Sequence, residues 1–217
     1  MIRTILLGAV ASTAFIGVAY AGEGDFLVRA RAIIVAPTED TSDILPAFEG
    51  GSVEVENAVV PELDFTYFVK DQWALELILA TSPHDLEATG TLEGLGKVAD
   101  TWVLPPTLTL QYHFRPDATV RPYAGIGLNY TIFYDESATA SLEDAVGNTD
   151  IEVDDSFGVA FQAGVDVDIN ETWFVNADVK YIQIDTEATL RSSAGGTNEI
   201  EIDLDPIVAG IGIGRRF

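Results

Sequence analysis

Residues 205–217 read DPIVAGIGIGRRF. Ile207, Ala209, Ile211 and Ile213 alternate with Val208, Gly210, Gly212 and Gly214, two arginines follow, and the stretch closes on an aromatic, Phe217. Soluble domains usually end in polar segments that fray. A clean period of two carried to Phe217 instead suits a strand with neighbours on both sides, whose pairing closes a sheet and removes its edges.

The same period recurs upstream. FLVRARAIIVA (26–36) puts Phe26, Val28, Ala30, Ala32 and Ile34 on one face and Leu27, Arg29, Arg31, Ile33 and Val35 on the other. LDFTYFV (63–69), WALELILA (73–80), TLTLQYHF (107–114), PYAGIGLNYTIF (122–133), SFGVAFQAGVDVDI (156–169) and WFVNADVKY (173–181) alternate in the same way. That makes eight strands, each near the roughly 9–11 residues a tilted membrane strand needs. The connections KDQ, RPDATVR and NET are short, whereas residues 37–61, 82–105, 135–155 and 185–205 are long. This alternation predicts an all-β fold: an eight-stranded antiparallel up-and-down transmembrane β-barrel with short periplasmic turns and four long extracellular loops. A soluble barrel can have the same strand count. However, Phe26, Tyr67, Trp73, Tyr112, Phe114, Trp173 and Phe217 fall on the outward face near the short-turn rim, the pattern of an interfacial aromatic girdle.

The other end of the chain agrees. Residues 1–21 carry one base, Arg3, then a short apolar core broken by Gly8, Ser12 and Gly17, then Ala19-Tyr20-Ala21. A retained anchor would need about 20 apolar residues. The expectation is a cleaved signal peptide over 1–21 and an outer-membrane barrel domain over 22–217. The full chain has 11 Lys and Arg against 35 Asp and Glu, and loss of the leader removes only Arg3. Such an excess of acid excludes binding to nucleic acid phosphates. Cysteine is absent, so no disulfide holds the fold. A hydrophobic content of 47% argues against disorder despite the charge.

LPPTLTLQYHFRP (104–116), RPYAGIGLNYTIFYDE (121–136), DDSFGVAFQAGVD (154–166) and GIGIGRRF (210–217) resemble the OmpW family of small outer-membrane barrels. The resemblance covers nearly all of the chain after the leader and keeps the family order. It implies eight strands, a narrow apolar channel and a role in uptake of small hydrophobic molecules, and some members are linked to alkane uptake. A terminal aromatic likewise resembles the signature read by the barrel assembly machinery. The chain departs from the family mainly in its acidic loops.

The inward residues divide by height. Near the periplasmic rim they are Arg29, Glu76, Gln111, His113, Asp166, Asp178, Lys180 and Arg216, with Arg31 somewhat higher. Near the outer rim they are Ile33, Val35, Val60, Ile78, Phe133, Ile182 and Val208. The interior of an eight-stranded barrel is barely wide enough for side chains. Mixed charges there predict a polar plug, packed rather than conducting, since buried charges need partners. The apolar upper lumen predicts a funnel that binds an apolar guest. A guest stopped by the plug leaves most cheaply sideways into the hydrocarbon. Proline cannot donate a ladder hydrogen bond, so Pro83 after the third strand and Pro105-Pro106 before the fourth mark a candidate lateral window. Pro61 and Pro206 mark weaker ones.

The loops hold most of the charge. Residues 135–155 contain eight acids and no base, and residues 37–61 contain six and none. The twelve-residue calcium-loop pattern is absent, which leaves a solvated, self-repelling face. Divalent ions could bridge it to the anionic phosphates of outer-membrane lipid and lipopolysaccharide. SLEDAVG predicts a short helix with Ser141 as N-cap and Gly147 past its end, and DLEATGTLEGLGKV a second, glycine-broken one. Ser82 lies two residues before His84 and Asp85 follows it, but no catalytic motif surrounds them. The reading is a monomeric channel for small hydrophobic solutes without cofactor, metal or enzymatic activity. The alternative is a structural or adhesion barrel that transports nothing.

Overall fold

Each of the eight alternating segments is a strand in the computed structural model, which describes residues 22–217; the expected signal peptide, 1–21, lies outside the described residues. The barrel strands are β1 (Phe26–Ala36), β2 (Ala58–Lys70), β3 (Trp73–Ala80), β4 (Thr107–His113), β5 (Val120–Ala138), β6 (Ser156–Asp168), β7 (Trp173–Ile182) and β8 (Ile207–Arg216). Each pairs antiparallel with its neighbours in sequence, and β8 pairs with β1 from Leu27↔Arg216 to Ala36↔Ile207. The Phe217 amide extends this seam by donating to the Phe26 carbonyl at 2.8 Å. Closure is what hydrocarbon demands, because a free strand edge there would leave unpaired amides with no water to satisfy them.

The outward face is apolar, and its aromatics gather at the short-turn rim. Trp73 meets Tyr112 with ring centroids 5.0 Å apart, Tyr112 meets Phe114 at 5.2 Å, and Phe26 meets Phe217 at 6.4 Å. The lumen face of β8 is nearly bare. A Cβ added at Gly212 would collide with the Ala30 carbonyl oxygen and come 2.7 Å from Arg31 Cγ, so glycine there lets the β1 backbone and the arginine that fills the barrel come close.

The long connections differ from the expected solvated loops. Strands Gly51–Val55, Ser82–Gly90 and Lys97–Leu104 continue the barrel wall along the upper half of β5. A second sheet joins Thr149–Val153, Asp185–Ser192, Gly196–Asp203 and Asp40–Thr41. Both turn an apolar face inward: Val53, Val55, Ala88, Ala188, Ile200 and Ile202 are buried. The acids Glu54, Glu187, Glu199 and Glu201 point outward to solvent. Acidic residues in NEIEIDLD therefore alternate as one face of a hairpin. The expected helix over DLEATGTLEGLGKV is replaced by Ser82–Gly90, a 3-10 turn at Glu93–Leu95 and the start of Lys97–Leu104. Its buried residues His84, Leu86 and Ala88 recur every second position; Leu86 is half-buried and the others are fully buried. The other short helix forms over Ala140–Val146, but Thr139 rather than Ser141 caps it, its side chain accepting from the Leu142 amide at 3.5 Å. Leu142 is thereby pinned into the apolar interior.

Candidate functional site

The lumen has three layers. At the periplasmic end Leu27, Phe68, Ala74 and Phe174 form an apolar floor, all at most 1% exposed. Above it lies a charged layer built by residues that strand alternation turns inward. Arg29 grips Asp166 through two nitrogens at 2.9 and 3.2 Å and also reaches Asp64 at 2.9 Å and Glu76 at 3.1 Å. Arg31 pairs with Asp178 at 2.6 Å, Glu62 at 2.7 Å and Asp64 at 2.8 Å. Lys180 sits 3.0 Å from both Glu62 and Asp178. Arg121 pairs with Asp168 and lies over the Phe174 ring at 5.4 Å. His113 is held between Phe68 and Tyr123, its Nε2 3.1 Å from Gln111 Oε1. The Gln111 amide donates to Gln162, whose own amide donates to Asp178, both at 3.0 Å.

Among the described residues of this layer, the buried cations Arg29, Arg31, Arg121 and Lys180 face the buried acids Glu62, Asp64, Glu76, Asp166 and Asp178. Opposite charges at this spacing serve as one another's partners, as buried charges require. Eight of the nine residues expected in the plug are brought together. Arg216 instead lies at the rim, 3.5 Å from Asp168. The sequence reading missed Glu62, Asp64 and Arg121. Lys180 takes Asp178 and Glu62, while Asp166 belongs to Arg29.

Above the charges the lumen turns apolar. Ile33, Val35, Val60, Ile78, Phe133, Ile182 and Val208 all line one cavity of about 70 Å³. A second apolar pocket of about 50 Å³ shares Leu86, Val153 and Ile202 with the first. A third of about 280 Å³, toward the loop tips, shares Ile44, Leu92, Leu142 and Leu190 with the second. These stacked spaces form an apolar column from the loops down to Glu62 at the top of the plug.

The wall of the column is interrupted beside Pro105-Pro106. The β3–β4 ladder runs from Trp73↔Tyr112 to Ile78↔Thr107, and pairing resumes at Ser82↔Val103. Residues 79–81 thus face 104–106 without ladder pairs. Pro105 lines the cavity, and the Pro105 and Pro106 carbonyls accept from the Asn129 side chain and the Tyr130 amide on β5. Pro83 does not end a strand as expected. It pairs with Trp102 inside Ser82–Gly90 and points outward, above the break.

Ser82 and His84 share the inner face of that strand. Ser82 Oγ lies 2.9 Å from His84 Nε2, and His84 Nδ1 lies 3.0 Å from the Glu56 carbonyl, so Asp85 is not the ring's partner. Burial pushes the His84 imidazole below its ordinary range, more than the Glu56 carbonyl restores.

Comparison with known proteins matches this architecture. The model of the OmpW family fits residues 22–217. This chain belongs to the OmpW family. Outer membrane protein W of Vibrio cholerae is 36% identical over 198 residues, covering 90% of this chain and 89% of the relative. The crystal structure of the outer membrane protein OprG from Pseudomonas aeruginosa superposes with a TM-score of 0.87 at 33% identity, covering 93% of this chain and 99% of that one. A relative from Pseudomonas aeruginosa named dibenzothiophene metabolism operon protein PahQ is 34% identical over 173 residues, covering 77% of this chain and 76% of the relative. The protein is thus an OmpW-family barrel of the outer membrane.

Proposed function

We propose that this OmpW-family barrel takes up small hydrophobic molecules, holding them in the apolar upper lumen and releasing them laterally into the membrane. The observation that carries the reading is the vertical split of the lumen. An apolar column stands on a layer of paired charges that is itself sealed by Leu27, Phe68, Ala74 and Phe174. Apolar surface favours an apolar guest by about 25 cal/mol per Å² removed from water. The same guest gains nothing by crossing the charges beneath. The break between residues 79–81 and 104–106 lies beside the cavity, next to the outward-facing Leu79 and Leu108. The name of the PahQ relative, which places it in an operon for metabolising an aromatic heterocycle, supports a hydrophobic cargo.

In this reading the released guest goes to outer-membrane lipid, and lipopolysaccharide surrounds the outward acids of the loop sheets. The test is uptake of a hydrophobic dye by vesicles carrying the protein. Ile78→Asp places a carboxylate against the cavity and is expected to abolish the protein-dependent uptake. Parental uptake by that variant would place the route outside this cavity, and absence of protein-dependent uptake by the parent would favour a structural or adhesion barrel.

A further inference from the structure

The column is not wholly apolar, and its few polar side chains share one property. A backbone carbonyl can only accept, so the 3.0 Å contact between His84 Nδ1 and Glu56 fixes the proton on Nδ1. With the imidazole neutral, Nε2 then carries a lone pair. The Ser82 hydroxyl 2.9 Å away must donate to it, leaving Ser82 Oγ with lone pairs only. Thr107 spends its proton on the Pro105 carbonyl at 3.0 Å, and Thr186 spends its own on the Asp154 carbonyl at 2.5 Å. Thr101 reaches only the carbonyls of Trp102 and Tyr134, at 3.4 and 3.5 Å. At the floor Glu62 offers carboxylate oxygens, while the cations beside it, Arg31 and Lys180, are directed at Glu62, Asp64 and Asp178. All of the hydroxyls and Glu62 line the same cavity. Its side chains therefore present acceptors without a spare donor.

Resting on the uptake reading above, we infer that the Ser82–His84 pair is a recognition site selecting small hydrophobic molecules that carry one hydrogen-bond donor. Alcohols, phenols and undissociated carboxylic acids are preferred over isomeric ethers, ketones and esters of equal apolar size. A guest hydroxyl entering the cavity finds Ser82 Oγ as an acceptor and keeps a hydrogen bond it would otherwise lose with its water. A guest carbonyl or ether oxygen finds no partner and carries its desolvation cost uncompensated.

The test is displacement of N-phenyl-1-naphthylamine from the full chain in detergent by 1-hexanol, its isomer methyl pentyl ether, and hexane, each corrected for its own partition into hexadecane. The parent is expected to favour hexanol over the ether by about fivefold, the size of one net hydrogen bond. His84→Leu frees the Ser82 hydroxyl to donate, so the preference should fall to parity or reverse. Ser82→Ala leaves Nε2 facing the cavity, so the preference should persist. Loss of preference in both variants, or its retention in His84→Leu, overturns the assignment. Equal binding of hexanol and ether by the parent also overturns it while leaving the funnel standing. Failure of all three probes to displace the dye refutes both.

Discussion

Replacing Lys180 by Met probes the plug directly. The ammonium is 2% exposed and lies 3.0 Å from both Glu62 and Asp178. Its removal leaves three buried cations, Arg29, Arg31 and Arg121, against the same buried acids. Breaking a buried ion pair costs about 3–5 kcal/mol, because the surviving charge is stranded. Here neither carboxylate is wholly abandoned: Arg31 still holds Glu62 at 2.7 Å and Asp178 at 2.6 Å, and Gln162 donates to Asp178 at 3.0 Å. The loss should therefore sit at the lower end, about 3 kcal/mol. Adding Glu62→Gln removes one of the excess acids and should recover part of that loss. The coupling from the double-mutant cycle is then expected at about 1–3 kcal/mol. Urea unfolding in lipid bilayers, followed by tryptophan fluorescence, gives each value. A cost below about 1 kcal/mol for Lys180→Met would mean that water screens the layer as it screens a surface pair, and the sealed-plug argument would fail.

Three further outcomes follow from the same geometry. Phe133→Asp charges the cavity wall and should weaken dye binding by tenfold or more, measured by fluorescence titration; unchanged affinity would place the guest elsewhere. Gly212→Leu drives a branched side chain against Arg31 and should destabilise the barrel by at least 1–3 kcal/mol on the scale of overpacked cores, read by the same urea titration; a neutral result would mean the lumen has slack. Removal of Phe217 takes away the two seam bonds it exchanges with Phe26 and should lower assembly in the outer membrane more than it lowers the stability of barrels already folded; normal assembly would contradict this.

Strand alternation made the barrel legible, and with it the inward placing of the seven residues that line the upper cavity, because an inward position at the outer end of a strand is fixed by counting in twos. What counting could not supply was the reach of each strand. Pro61 reads as a strand end, yet β2 begins at Ala58 and Pro61 faces outward opposite Ala32, beyond the last β2–β3 pair at Glu62↔Ala80. Its missing amide proton therefore breaks no ladder with β3, and Glu62 enters the lumen unannounced. Arg121 was hidden in a turn for the same reason, since β5 starts at Val120. Partner choice across the lumen was out of reach altogether: Arg29 and Asp166 are 137 residues apart and meet only through the register of a closed sheet. The Ser82–His84 contact needed only the recognition that residues 82–90 are a strand, where i and i+2 share a face. Pro83 and Gly90 pointed toward a loop instead.

The central claim is that a guest enters the apolar column and leaves through the wall, never through the plug. The most direct measurement follows where a hydrophobic fluorophore first arrives in vesicles carrying the protein, in the bilayer or in the aqueous interior, for the parent and for the variant with Pro105→Ala and Pro106→Ala. The substitutions supply backbone donors beside residues 79–81 and should let β3 and β4 pair further. Arrival in the bilayer first is expected for the parent, with slower transfer but retained binding in the variant. Arrival in the aqueous interior ahead of the bilayer, or transfer by the variant at the parental rate, would contradict it.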